Sequence, residues 1–161
     1  MSSMDTAIAS ELLDVILAAE RSLVVLRCAD VPPLLELMRR HAIRTGQALY
    51  AWSEDVGLSS LRDGQVTVAG SHRFADALRH VIQSAHYGIY FFADQPQAFD
   101  APLVPLLRQV ARLTGEHARR VVLVGIGIEL PGNIEALELD RDAMTPARPR
   151  LRNGRWVSHE R

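Results

Sequence analysis

Apolar residues recur along the chain with two alternating patterns. Over residues 5–20, Ile8, Leu12, Val15, Ile16 and Ala19 fall at helical spacing and predict an amphipathic helix. Residues 22–28 (SLVVLRC) are a short apolar run rich in Val and Leu, which predicts a buried strand. Val31, Leu34, Leu35, Met38 and Ala42 return to the helical period. Pro32 and Pro33 fall in that helix's first turn, where a missing N–H does no harm, with Asp30 as its cap and Gly46 as its stop. Residues 47–53 (QALYAWS) predict a second strand, and residues 54–70 read as irregular. Within them Asp63-Gly64 marks a tight turn into Val66 and Val68, the sign of a small hairpin.

Further on, Ser71 reads as the cap of a third helix carrying Phe74, Leu78, Val81, Ile82 and Ala85 on one face. Residues 88–94 (GIYFFAD) predict a third strand, and Asp100 with Pro102 opens a fourth helix holding Leu103, Leu106, Leu107, Val110 and Leu113. Residues 119–128 are the most apolar strand, and residues 134–139 alternate as a shorter fifth. Helices alternating with buried strands imply an α/β protein, a three-layer sandwich around a mainly parallel five-stranded sheet. Residues 1–142 form this domain, and residues 143–161 are a basic tail. The last 21 residues hold six arginines against Asp142 and Glu160, a charge of +4 in a chain of net charge -1, so the body carries about -5. Asn153-Gly154 predicts a hairpin turn in the tail.

Composition matters mainly through what it removes. All 18 cations other than histidine are arginine. Without lysine there is no Schiff base, pyridoxal anchor or phosphate-loop lysine. A single cysteine, Cys28, excludes an intrachain disulfide and a structural zinc site built from several thiolates. Neither a signal peptide nor a membrane span of ~20 residues is predicted, which points to a cytoplasmic setting.

In open α/β sheets ligands sit at the carboxyl ends of the strands. The residues there are Arg27, Cys28 and Asp30, then Ser53, Glu54 and Asp55, then Asp94 and Gln95, and finally Gly125 and Gly127. The carboxylates could form a solvated acidic edge, or a magnesium pocket of the receiver type, which would also need a lysine. Gly125, Gly127 and Gly132 are not followed at once by a helix, so they read as close packing and not a dinucleotide fingerprint. The six histidines show no i, i+4 pair and read as surface residues. Cys28 reads as a buried strand cysteine, and Tyr87, Tyr90, Phe91 and Phe92 as core.

The succession SLVVLRCADVPP, QALYAWSEDVGL, YGIYFFADQPQAFDAPLVPLLRQVARL and RRVVLVGIGIELPGNIEALELD resembles the N-terminal domain of Ycf46-type AAA ATPases over residues 7–142. The resemblance implies a degenerate P-loop NTPase-like fold, strand order 5-1-4-3-2, and a phosphate-loop position between Leu26 and Leu34. That loop reads R-C-A-D-V-P-P, with no glycine, no lysine and two prolines that each delete an N–H donor. Asp94 stands where magnesium would be held, but Gln95 replaces the glutamate base. The resemblance therefore implies a non-catalytic protein-interaction module without ATP hydrolysis. Its residual cleft would hold Arg27, Asp30, Asp94 and Gln95, with no metal or cofactor. The partner would be a protein, either an ATPase or a second copy, with nucleic acid and membrane disfavoured. The alternative is a regulatory domain that binds a nucleotide or another small molecule in that cleft.

Overall fold

A computed structural model of the chain describes residues 3–84, 86–96, 98–113, 119–141, 150–152 and 155–157. The elements run α1 (Ser3–Ala18), β1 (Leu23–Arg27), α2 (Val31–Thr45), β2 (Leu49–Ser53), β3 (Gly57–Ser60), α3 (Phe74–Gln83) and β4 (Gly88–Phe92). A 3-10 turn (Ala101–Leu103) then leads into α4 (Val104–Ala111), β5 (Arg119–Gly125), β6 (Leu137–Asp140), β7 (Arg150–Arg152) and β8 (Arg155–Val157). The tail strands pair antiparallel, with Leu151 opposite Trp156, and the predicted turn at Asn153-Gly154 lies outside the described residues. The remaining tail residues lie outside the described residues.

The main sheet has six strands, not five, in the order β3-β2-β4-β5-β1-β6. It is mixed. β1, β2, β4, β5 and β6 pair in parallel, while β3 is added antiparallel outside β2. The expected order 5-1-4-3-2 is corrected by that extra edge strand, which lies inside the stretch expected to be irregular. β3 has four residues, and only Leu58 among them is large and apolar, so no periodic signal marks it. The hairpin beyond it is present: Ser60 N–H donates to Val66 O and Val68 N–H to Leu58 O, both at 2.9 Å.

The pleat sends alternate residues of each strand to opposite faces. Val24, Leu26, Leu49, Phe91, Val122 and Val124 meet α1 and α2 on one side. Leu23, Trp52, Tyr90, Phe92, Val121 and Leu123 meet α3 and α4 on the other. Both faces are thereby covered, as continuous apolar strands require.

The helix ends differ from expectation. Ser71 does not cap α3, whose N-cap is Arg73 without a side-chain bond. Instead Ser71 is buried and ties the β3 hairpin to the sheet. Its Oγ donates to Val68 O at 2.6 Å and accepts from Leu58 N–H at 2.9 Å, while its carbonyl accepts from Trp52 Nε1 at 2.7 Å. Asp30 does stand at the N-cap of α2, yet it makes no side-chain capping bond. A cap bonds the N–H of the second or third helical residue, and here those residues are Pro32 and Pro33, which have none.

Two consecutive arginines at the start of β5 close two helices on opposite faces. Arg119 Nη1 donates to the carbonyls of Val81, Ile82 and Ser84, and Arg120 donates to those of Ile16, Leu17 and Ala19. The carbonyls left over at the ends of α3 and α1 are so satisfied by cations, which also complement the helix dipoles.

One histidine corrects the surface expectation. His41 on α2 is 5% exposed. Arg44 approaches its Nδ1 at 3.0 Å and Gln47 Oε1 lies 3.1 Å from its Nε2, an arrangement suited to the neutral ring with its proton on Nε2. Burial, aided by the Arg44 charge, pushes its pKa below the usual 6.5 against the hydrogen bond to Gln47 and the more distant Asp14. The unfolded chain therefore binds this proton more readily than the folded one. Its contribution to stability is complete above pH 6.5 and falls as the pH drops from there toward the lower folded value. Urea unfolding between pH 7.5 and 5 should show that fall, and His41→Gln should flatten it. An unchanged slope in the variant would remove His41 as the cause.

No helix among the described residues is long and apolar enough to cross a membrane. Among the same residues no group of three His, Cys, Asp or Glu side chains is placed to hold a metal ion.

Candidate functional site

At the carboxyl edge of the sheet, α2, β2, the β3 hairpin and the loops after β1 and β4 line an open cavity of about 670 Å³. Its existence follows from residue size. Ala51, Ser53, Ser59 and Ala93 are small and leave a hollow that Val31, Pro32, Leu35, Val56 and Leu61 surround. Asp30, Asp94, Glu36 and Arg39 supply its charges.

These charges are not equivalent. Arg39 grips Glu36 through two bonds, Nε to Oε1 at 2.8 Å and Nη2 to Oε2 at 2.6 Å, and Arg40 adds a third. The Arg39 bond, with Arg40 beside it, holds the Glu36 carboxyl down to about 2. Among the described residues, Asp94 Oδ2 accepts a single long bond, 3.4 Å from Glu54 N–H. No described hydrogen bond or ion pair engages the Asp30 carboxylate. Among the described residues, the cavity is thus apolar with two carboxylates that no cation neutralises.

Of the four residues expected at the residual cleft, the fold brings Asp30 and Asp94 to the cavity and leaves Arg27 and Gln95 out of its lining. Arg27 is exposed at the end of β1, in register with Gly125 and Asp140. Gln95 is buried, because its Nε2 donates to Val124 O at 3.0 Å, and its Oε1 has no partner among the described residues. It joins β4 to β5 and does not face the cleft. Sequence reasoning missed Glu36 and Arg39, although their i, i+3 spacing on a helix was a usable signal.

Compared with known families, residues 9–145 match the SpoVK-like AAA ATPase N-terminal domain. The chain belongs to that family. The match agrees with the resemblance to Ycf46-type AAA ATPases and covers the whole six-stranded sheet, including β3. No curated protein and no solved structure matches the chain. As a member of the SpoVK-like N-terminal domain family, it carries at its β1–α2 junction two prolines and an aspartate. Such a junction offers few N–H donors to an anion.

Proposed function

We propose that this SpoVK-like N-terminal domain is a non-catalytic protein-interaction module with a degenerate P-loop NTPase-like fold. It docks on a protein partner, an ATPase or its own copy, and does not hydrolyse ATP. The observation that carries the reading is the β1–α2 junction. Where phosphates would need backbone N–H groups and a lysine, the chain has Pro32, Pro33 and the Asp30 carboxylate, which makes no helix-capping bond. Gln95 supports it, since an amide bonded to Val124 cannot act as a base. The reading includes a cytoplasmic setting.

Phosphate release with magnesium and millimolar ATP should stay at background. Turnover that vanishes on Asp94→Ala would overturn the proposal, because it would reveal a working magnesium site. A regulatory domain for a small molecule is the second reading, favoured by a cavity of about 670 Å³, within the roughly 300–1,000 Å³ of ligand pockets. For nucleotides, titration calorimetry is expected to find nothing tighter than about 100 μM, near -5.5 kcal/mol. A low-micromolar constant for ATP or ADP would favour that second reading.

A further inference from the structure

We infer that the cleft at the carboxyl edge of the sheet receives an arginine side chain flanked by apolar residues, presented by the partner polypeptide. The inference rests on the interaction-module reading and names what the module grips. Three features converge on it.

The first is charge. Asp30 and Asp94 line the cavity without a neutralising cation among the described residues, and Arg39, the one described cation lining it, is held by Glu36. Outside the tail the chain carries about -5, so the body as a whole draws cations and repels anions. The second is the absence of competing donors. Pro32 and Pro33 leave the start of α2 with little to offer an anion, and Asp30 cannot turn inward to cap the helix. Its carboxylate stays available to an incoming donor. The third is shape. The small floor of Ala51, Ser53, Ser59 and Ala93 lies beneath walls of Val31, Leu35 and Leu61. A long methylene stem packs against such walls while its charged head reaches carboxylates at the rim. A guanidinium suits the site better than an ammonium, because its planar fork bonds carboxylates in pairs and is more weakly hydrated.

The test uses the full chain, labelled with nitrogen-15 and titrated with the peptide acetyl-GLRLG-amide. Matched peptides replace the arginine by citrulline, its neutral isostere, or by glutamate. The arginine peptide should shift the amide signals of Asp30, Val31, Ala51, Ser53 and Asp94, and it should bind at least tenfold more tightly than the citrulline peptide. The double variant D30N/D94N should lose that tenfold preference; both positions are exposed, so the fold should persist. Ala51→Phe, which fills the floor, should weaken the arginine peptide at least tenfold through shape alone. Equal affinity for the arginine and citrulline peptides would overturn the inference. So would unchanged binding in D30N/D94N, or shifts confined to another face. Each of those results leaves the interaction-module reading standing, since that reading fails on ATP turnover.

Discussion

Trp52→Ala should lower the unfolding free energy by about 3–5 kcal/mol, the range for deleting a large buried aromatic side chain. Trp52 is 2% exposed and sits at the centre of the core between the sheet and α3. Its ring stacks on Phe92 at 5.6 Å and meets Phe74 edge-on at 5.6 Å, and Phe74 in turn stacks on Phe99. The truncation removes these contacts and leaves a cavity that the flanking strands cannot close. It also strips Ser71 O of the indole donor it accepts from at 2.7 Å. Trp52→Phe separates the two effects. It keeps most of the ring and loses the hydrogen bond, for an expected loss of about 1–3 kcal/mol from the stranded buried acceptor. Urea unfolding of both variants checks this. A loss below about 1 kcal/mol for Trp52→Ala would mean that the aromatic cluster does not carry the β2–α3 contact.

Gly57→Ala should destabilise the chain by roughly 3 kcal/mol, from left-handed strain of about 1–2 kcal/mol plus a steric term. Gly57 opens β3 at φ 80°. A Cβ there would stand 2.6 Å from Ser71 Oγ and 3.1 Å from the Ser71 carbonyl carbon. The hydroxyl could swing away only by giving up its bonds to Leu58 and Val68, and the backbone carbon cannot move without displacing the hairpin. Gly64→Ala serves as the control. No described atom lies within 4 Å of the place its new methyl group would take, so its effect should stay within about 0.5 kcal/mol. Equal thermal or urea midpoints for the two variants would show that β3 does not depend on this approach.

Both predictions centre on Ser71, a residue whose role the sequence disguised. Serine just ahead of an apolar helical pattern is a good cap signal. What decides otherwise is the company Ser71 keeps: Leu58 lies 13 residues away and Trp52 19 away. Asp30 shows the opposite case. Its position at the helix start was legible, and so were the two prolines, but their joint consequence, a cap with nothing to bond, appears only when donors are traced one by one. Of the residues expected at the cleft, Asp30 and Asp94 reach the cavity because both follow parallel strands whose carboxyl ends share one edge. Gln95 is one residue further along and turns into the sheet.

By itself, the sequence determined the alternation of helices and buried strands and the mainly parallel sheet that follows from it. It also determined the absence of lysine chemistry and the family. These follow from local periodicity and composition, which each segment carries without its neighbours. The tertiary structure alone decided the sixth strand, the tie at Ser71, the closure of α1 and α3 by Arg120 and Arg119, and the shape of the cleft. Each of these depends on partners far apart in the chain. A four-residue edge strand gains its order from the strand it pairs with. An arginine becomes a helix cap only when the sheet delivers it to a helix end, and small residues make a cavity only when packing leaves the space above them unfilled.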